Sequence, residues 1–376
     1  MRFSFSEEQE ELRRVVRRFL DTTSPIGEAR RLMETSEGYE PAVWKQLSQE
    51  LALPGVQIPE AYGGQGFGFV ELGVVLEEMG RALYCGPYFA SVVMAANAIL
   101  NAGSDAQKQA LLPGIAAGET LATLAIAEPN GGWDASSVAL EARCSGGAWR
   151  LSGEKSFVID GCAADLLVVV ARAPGSRGSD GISFFSLRAS ADGVTRRPLD
   201  VLDPTRKLAK LGFDGARAEL LGEAGAGAAA LSRTLEQAAV ALTSEMAGSA
   251  QRLLELTVDY AKARVQFGRP IGSFQAIKHK CADMLLLLEL ARSSAYYAAE
   301  AADQAPDELP AVASLAKAQG SDAFLHIAAE SIQIHGGLGF TWEQDVHLYF
   351  KRAKASEVFL GDPIFHRERL AQAWGL

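Results

Sequence analysis

Residues 228–265 read AAALSRTLEQAAVALTSEMAGSAQRLLELTVDYAKARV, a long run of small and apolar residues that contains no proline. Because proline disrupts helix interiors, this run predicts one continuous helix. Further helical patterns begin after Ser273, Pro310 and Trp342, with short links between them. Four long helices joined by short links predict a C-terminal four-helix bundle over residues 226–376.

Upstream of this helix, the sequence changes to short alternating or β-branched runs separated by turns. The runs are LATLAIA, VALEARC, WRLSGEKSFVI, LLVVVARA, ISFFSLRA and GVTRRPL, all between Leu121 and Gly222. Alternation with a period of two and β-branched residues are typical of strands. We therefore predict a middle antiparallel, barrel-like β domain over residues 121–225.

The first 120 residues return to helical spacing. Ser6 and Gln9 have the spacing of a capping box, and an apolar stripe of helical period follows them. Helical patterns recur around residues 40–51, over residues 69–83 and after Ser104. The predicted fold is an α+β multidomain protein with an N-terminal all-helical domain (residues 1–120), the β domain and the bundle.

Composition narrows the function class. The chain has 376 residues, 48% of them hydrophobic, and a formal net charge of -10, which disfavours nucleic-acid binding. The four cysteines are widely spaced and the histidines are not clustered, so we expect neither a disulfide framework nor a metal site. Without an apolar run long enough to span a bilayer, we expect a cytoplasmic protein with no membrane partner.

One glycine motif imitates a dinucleotide-binding loop. Residues 225–230, GAGAAA, fit the loose GxGxxG/A pattern. The helix predicted after them is far longer than a βαβ crossover, and no parallel strand is predicted beyond it. We therefore reject a Rossmann fold.

Five segments, in order along the chain, resemble the acyl-CoA dehydrogenase family. They are PEAYGGQGFGFVELGVVLEEMGRAL from Pro59, AIAEPNGGWD from Ala125, LSGEKSFVIDG from Leu151, RVQFGRPIGSFQAIKHKCADM from Arg264 and IQIHGGLGF from Ile332. The resemblance covers nearly the whole chain. It implies a tetramer that binds FAD at a subunit interface, with an acyl-CoA substrate and an electron-transfer acceptor.

The resemblance also implies which residues grip the adenosine half of a neighbouring chain's FAD. They are Arg264, Phe267, Gln275, Gln333, Gly336 and Gly337. A guanidinium suits an anionic pyrophosphate, and paired glycines let backbone N–H groups approach it. From the residues alone, a surface ion pair for Arg264 and a helix C-cap for the glycines stay open as alternatives.

The half-site that would hold the flavin ring departs from the family pattern. The resemblance implies a threonine hydroxyl where this chain has Ala127, a serine where it has Trp133 and a threonine where it has Ile159. Each lost hydrogen-bond partner of a buried ligand atom costs about 1–3 kcal/mol. We expect this half-site to be eroded; the alternative is a repacked loop that binds FAD through backbone groups.

The catalytic base is also missing. The resemblance places a glutamate at the position of Leu360 or, in a minority of members, of Ala238. The nearest carboxylates in sequence are Glu236, Glu245 and Asp362. Helix geometry puts Glu236 on another face from Ala238 and Glu245 about 10.5 Å further along the axis. Asp362, beside a glycine, is expected to be a turn or cap residue.

These features together resemble heteromeric acyl-CoA dehydrogenases, in which one of two homologous subunits supplies base and flavin pocket. The resemblance extends to enzymes that act on bulky acyl-CoA thioesters such as steroid side chains. We therefore predict a subunit of an α,β-desaturase with a homologous partner. The alternatives are a homotetrameric FAD protein with different flavin chemistry and a non-catalytic acyl-CoA-binding or scaffolding protein.

Overall fold

A computed structural model describes residues 5–376 of the chain. The helices are α1 (Glu7–Thr23), α2 (Ile26–Leu32), α3 (Pro41–Gln49), α4 (Phe69–Arg81), α5 (Ala96–Ala102), α6 (Asp105–Ala116), α7 (Ala228–Ala263), α8 (Gln275–Gln304), α9 (Leu309–His335), α10 (Val346–Val358) and α11 (Pro363–Ala373), with a π-helix at Phe89–Ala95. The strands are β1 (Ala122–Ala125), β2 (Glu141–Ser145), β3 (Ala148–Ile159), β4 (Leu166–Arg172), β5 (Ile182–Arg188), β6 (Val194–Pro198), β7 (Leu208–Leu221), β8 (Val265–Gln266) and β9 (Arg269–Pro270). The predicted order of helices, β domain and helices is confirmed.

The chain forms two compact units. The helical unit contains the residues up to Arg31, Phe69–Tyr84 and Ala239–Leu376. The barrel unit contains Leu32–Gly68 and Cys85–Ala238. The predicted boundaries at residues 120 and 225 divide the sequence differently and stay a prediction about sequence domains.

The start of α1 follows its sequence signal. Ser6 Oγ accepts a hydrogen bond from the Gln9 backbone N–H at 3.2 Å, and Gln9 Oε1 accepts one from the Ser6 N–H at 2.9 Å. This reciprocal capping box satisfies two backbone donors that the first turn leaves free. The predicted capping box is confirmed.

Helices α4 and α7 cross at backbone contact in the helical unit. A Cβ added to Gly80 would lie 2.0 Å from the Glu245 carbonyl oxygen, and one added to Gly248 would lie 1.7 Å from the Glu77 carbonyl oxygen. Ser249 Oγ donates a hydrogen bond to the Gly80 carbonyl at 2.8 Å. The glycines are therefore required by the close approach, which fixes where α7 presents Glu245.

The C-terminal bundle has three long helices and one divided stretch. Helices α7, α8 and α9 have 36, 30 and 27 residues. The fourth predicted helix is split into α10 and α11 by a turn at residues 359–362, where Leu360 and Gly361 have φ angles of 63° and 102°. Two consecutive residues with positive φ cannot continue an α-helix, and Pro363 starts a new one. The prediction of four long helices is therefore corrected to three long helices and two short ones.

The middle domain is a closed barrel. Its strands are ordered β1-β4-β2-β3-β7-β5, β6 pairs with β7, and β5 also pairs with β4, so the path returns on itself. Leu151, Val169, Phe185 and Leu211 belong to its buried core. The predicted barrel-like domain is confirmed, but it is not purely antiparallel, because β1 and β2 pair with β4 in parallel. The chain builds the β2–β3 hairpin before it returns as β4, so β1 and β4 are joined by a crossover rather than a turn.

The GAGAAA motif at residues 225–230 does not belong to a dinucleotide-binding fold, as expected. Residues 225–227 lead into the 36-residue helix α7, and the next strands, β8 and β9, form an antiparallel two-stranded hairpin. Such a helix followed by a hairpin is not a βαβ unit.

Candidate functional site

The first group of predicted site residues lies where α7 ends in the helical unit. Arg264 follows α7 directly, its N–H donates to the Tyr260 carbonyl, and its carbonyl accepts from Ile271 N–H, both at 2.8 Å. Between them runs the β8–β9 hairpin, whose tip holds Phe267 at φ 54° with 91% of its surface exposed. A large apolar ring held in solvent by a left-handed turn is a feature that favours a ligand or a partner.

The base of this hairpin is braced by aromatic contacts. The ring of Phe274 lies edge-on to Phe267, with centroids 6.2 Å apart, and the guanidinium of Arg269 lies over the Phe274 ring at 4.1 Å. Gln275, exposed at the first position of α8, comes directly after Phe274. The conformation of the hairpin therefore depends on its contacts with the residue that precedes α8.

The second group lies at the end of α9. Gln333 is exposed in its last turn, and Gly336 ends the helix at φ 62° and ψ -142°, a conformation that essentially only glycine adopts. A Cβ added to Gly336 or Gly337 would meet no atom within 4 Å. The backbone at the two glycines is therefore open to close approach by a ligand or a partner chain.

A stacked pair of rings joins the two groups. The Tyr260 ring lies on the His335 imidazole with centroids 4.1 Å apart and an angle of 21° between planes. His335 Nδ1 is 2.8 Å from the Ser331 carbonyl, and burial lowers the pKa of this histidine, which keeps it neutral. Sequence reasoning missed Tyr260; its position one helical turn before Arg264 was the only available signal.

The joined surface is suited to an anionic, extended ligand. It combines the exposed guanidinium of Arg264, the exposed amides of Gln275 and Gln333, and the open backbone of the two glycines. Guanidinium and backbone N–H groups are the donors that proteins use for phosphate oxygens. These residues fit the pyrophosphate and ribose part of a dinucleotide.

The departures from the family pattern lie in the barrel unit. Ala127 and Ile159 are only 2% and 3% exposed. Their backbones are used internally, because the Ser156 N–H donates to the Ala127 carbonyl at 2.8 Å and Thr123 Oγ1 donates to the Ile159 carbonyl at 2.6 Å. The side chains at both positions are apolar and offer a flavin ring no hydroxyl.

Trp133 lies half-buried in a loop whose polar side chains bond to one another. Asn130 Nδ2 donates to the Ser137 carbonyl at 2.9 Å. Asp134 Oδ1 accepts from Ser136 Oγ at 2.6 Å and from Ser137 N–H at 2.9 Å. Those groups are committed to the loop itself, and a bound phosphate would have to compete with them.

A buried ion pair anchors the segment that ends this loop. Lys155, wholly buried, donates from Nζ to Glu128 Oε1 at 2.7 Å, and the same carboxylate accepts the N–H groups of Ala139 and Leu140. Burial lowers the pKa of Lys155 to about 8, against the opposing charge of Glu128. The two ends of the loop are therefore held together by the hydrogen bonds of the buried Glu128 carboxylate.

The segment matched to the catalytic base forms the turn between α10 and α11. Leu360 is 3% exposed. Asp362 is the N-cap of α11, and its Oδ1 accepts the Phe365 N–H at 2.8 Å. The expectation that Asp362 is a cap residue is confirmed.

The other candidate carboxylates are also engaged. Glu245 Oε1 accepts from Arg352 Nη1 at 2.8 Å, and both side chains are buried. Glu236 Oε1 accepts from Ser232 Oγ at 2.8 Å. Ala238 is 0% exposed and has no proton-accepting group. A buried carboxylate that neutralises an arginine is a poor proton acceptor.

Metal-binding clusters and membrane-spanning helices are both lacking over residues 5–376. That stretch contains no group of three or more His, Cys, Asp and Glu residues placed to hold a metal ion. None of its helices is both long and apolar enough to cross a membrane.

Comparison with known proteins identifies the family. Acyl-CoA dehydrogenase domain profiles match residues 6–119 (N-terminal domain), 123–215 (middle domain) and 225–374 (C-terminal domain). Acyl-CoA dehydrogenase IpdE2 of Mycobacterium tuberculosis (strain ATCC 25618 / H37Rv) is 32% identical over 357 residues, which cover 95% of this chain and 94% of that protein.

Two solved structures are similar over nearly their full length. A variant of the Tcur3481–Tcur3483 steroid ACAD has a TM-score of 0.88 at 32% identity, covering 98% of both chains. The ChsE4–ChsE5 complex from Mycobacterium tuberculosis has a TM-score of 0.89 at 26% identity, covering 100% of this chain and 99% of the other.

The fold and these matches define the class of protein: a flavin-dependent oxidoreductase that acts on acyl-CoA thioesters. The chain belongs to the acyl-CoA dehydrogenase family. The predicted family and its enzyme class are thereby confirmed.

Proposed function

We propose that this chain is a subunit of a heteromeric acyl-CoA dehydrogenase, which lends one half of an FAD site to a homologous partner and has no catalytic base of its own. The observation that carries the proposal is Leu360, a buried leucine where the family resemblance places a glutamate. Desaturation requires removal of the α-proton by a group within hydrogen-bond reach. In this chain Asp362 caps a helix and Glu245 is paired with Arg352, so neither is available as a substitute.

The helical unit would supply the adenosine side of the cofactor site. Arg264 would face the pyrophosphate, the Gly336–Gly337 backbone would approach it closely, and Gln275 and Gln333 would donate amide hydrogen bonds. When bound, FAD supplies the acceptor for the hydride that leaves the acyl β-carbon. The exposure of all these groups in the isolated chain supports a ligand held mainly by another subunit.

The barrel unit fits its own FAD half-site poorly. Ala127 and Ile159 replace hydroxyls with apolar side chains, and Trp133 places an indole where the resemblance implies a small serine near the pyrophosphate. Overpacking of this kind costs about 1–3 kcal/mol unless the backbone moves. The support for a one-sided subunit is that all three departures fall in the same half-site, while the other half keeps every expected residue.

A homologous partner supplied by another chain is consistent with the comparisons. One similar structure is a complex of two different chains, ChsE4 and ChsE5, and another is named for Tcur3481 and Tcur3483 as a steroid ACAD. We propose by analogy a bulky, polycyclic acyl-CoA substrate for the assembled enzyme. The proposed assembly is a heterotetramer, and a homotetramer is the competing outcome.

Flavin content tests this proposal. The chain should be colourless when purified alone and should copurify with FAD, seen as absorbance near 450 nm, when coexpressed with a homologous subunit that has the glutamate. Stoichiometric FAD in the chain alone would favour a homotetramer with different flavin chemistry. A colourless chain that binds acyl-CoA but recruits no homologous subunit would favour a non-catalytic acyl-CoA-binding protein.

A further inference from the structure

The turn at residues 359–362, between α10 and α11, holds an unfavourable backbone. Leu360 has a φ of 63°, a left-handed conformation that side-chain-bearing residues avoid. Gly361 follows at φ 102°, where a side chain would be strained. Such a conformation persists only where the surroundings enforce it, so the contacts beneath the turn must hold it in place.

Lys317 of α9 lies directly beneath this turn. Its Nζ donates to the carbonyls of Gly361 and Glu357 at 3.0 and 3.1 Å and to Ser321 Oγ at 2.9 Å. The side chain is 0% exposed. An ammonium has three N–H donors, so these three neutral acceptors use all of them.

The carboxylates around Lys317 are occupied elsewhere. Glu357 pairs with Lys354, Asp322 pairs with Arg367, and Asp362 caps α11. Burial lowers the pKa of Lys317 to about 7, although the charges of Glu357, Asp362 and Asp322 oppose this shift. When Lys317 is protonated, the turn is thus held by a cation whose hydrogen bonds all go to neutral acceptors.

His366 of α11 holds the adjacent peptide. Its Nε2 is 3.0 Å from the Leu360 carbonyl oxygen, and the ring is 3% exposed. Burial, reinforced by the charge of Lys317, lowers the pKa of His366 to about 3, so the ring is neutral and donates from Nε2. Successive carbonyls, of Leu360 and Gly361, are therefore each held by a buried side chain.

We propose that Lys317 and His366 are positioning residues that hold the 359–362 turn through these two carbonyls, and that the proton on Lys317 sets how firmly the turn is held. The inference concerns this chain's own turn and stands whether or not the chain pairs with a homologous subunit. Charge-assisted hydrogen bonds are about twice as strong as neutral ones, so the turn should be held most firmly below neutral pH.

Hydrogen exchange of the full-length chain tests the proposal. Lys317→Met replaces the ammonium with an apolar side chain of similar length and removes its three hydrogen bonds together. At pH 6, after correction for intrinsic rates, peptides covering residues 357–366 should exchange at least about tenfold faster in this variant, the lower end of the range expected for a lost hydrogen bond to a charged group. The matched control is Lys278→Met, which removes an exposed lysine from α8 and should leave the exchange unchanged.

The pH dependence separates positioning from a general packing role. The ratio of the Lys317→Met rate to the wild-type rate should fall by about half or more at pH 8.5, because the wild type has then lost its own charge-assisted bonds. A ratio of one at pH 6, an equal ratio at both pH values, or the same acceleration in Lys278→Met would overturn the proposal. If Lys317→Met does not fold, the wild-type series alone decides: unchanged protection of residues 357–366 between pH 6 and 8.5, relative to the middle of α8, overturns it.

Discussion

Arg352 Nη1 donates to Glu245 Oε1 at 2.8 Å, and the two residues are only 2% and 5% exposed. Glu245 lies on α7 and Arg352 on α10, so the pair ties the first bundle helix to the segment that leads into the 359–362 turn. The contact also supports the proposal that the chain has no catalytic base, because a carboxylate that neutralises a buried arginine is a poor proton acceptor.

Breaking this pair should be costly, and replacing both partners should not. Glu245→Leu removes this carboxylate from the buried Arg352 charge, which should cost about 3–5 kcal/mol of unfolding free energy. The double variant Glu245→Leu/Arg352→Met should lose much less, because a buried ion pair can be replaced by packed apolar groups. Urea denaturation of Glu245→Leu, Arg352→Met and the double variant measures the coupling energy between the two residues. A double variant whose loss of stability equals the sum of the two single losses would contradict this prediction.

Gly336 and Gly337 provide a matched pair at the end of α9. Gly336→Ala should destabilise the chain by about 1–3 kcal/mol, because an alanine cannot adopt φ 62° and ψ -142° without strain. Gly337→Ala should be near neutral, since its φ lies outside the strained positive range and its Cβ would face open space. Thermal denaturation compares the two variants; equal effects would show that the conformation of Gly336 is not what requires glycine.

Arg264 should matter for cofactor retention rather than for folding. In a complex with a base-containing partner, Arg264→Ala should weaken FAD retention by about 1.5–3 kcal/mol, the range for hydrogen bonds to charged groups. Flavin content after extensive dialysis is the readout. Arg367→Ala, which removes an exposed arginine paired with Asp322, is the control. Unchanged flavin in Arg264→Ala would mean that the residue is only a surface group.

Restoring one hydroxyl in the barrel unit should not restore the eroded half-site. Ile159→Thr should leave the flavin stoichiometry of the chain unchanged, because Trp133 and its internally bonded loop remain. Ile159→Val removes a similar volume without adding a hydroxyl and controls for the packing change. If Ile159→Thr alone raises flavin occupancy, this half-site is functional and the homotetramer is the better description.

Local patterns predicted the elements of the fold well. The proline-free run predicted residues 228–265 as helix, and α7 spans Ala228–Ala263. The capping box at Ser6 has the predicted hydrogen bonds. Both signals depend on neighbours within one helical turn, which is why the sequence alone contains them.

Features that depend on distant contacts were not predictable in the same way. The parallel pairing of β1 with β4 joins segments separated by a hairpin, and the Glu245–Arg352 pair joins residues 107 positions apart. The Tyr260–His335 stack likewise depends on how α7 and α9 pack. Sequence periodicity indicates which face of an element is apolar but not which distant side chain meets it.

The most direct test of the central claim is acyl-CoA oxidation by the chain purified alone, supplied with FAD, an artificial electron acceptor and a range of saturated acyl-CoA thioesters. We predict no turnover, and turnover once a homologous subunit with the catalytic glutamate is coexpressed and copurified. Turnover by the chain alone would contradict the account. In that case, a collapse of kcat in Asp362→Asn or in Glu245→Gln would identify the carboxylate that acts as the base.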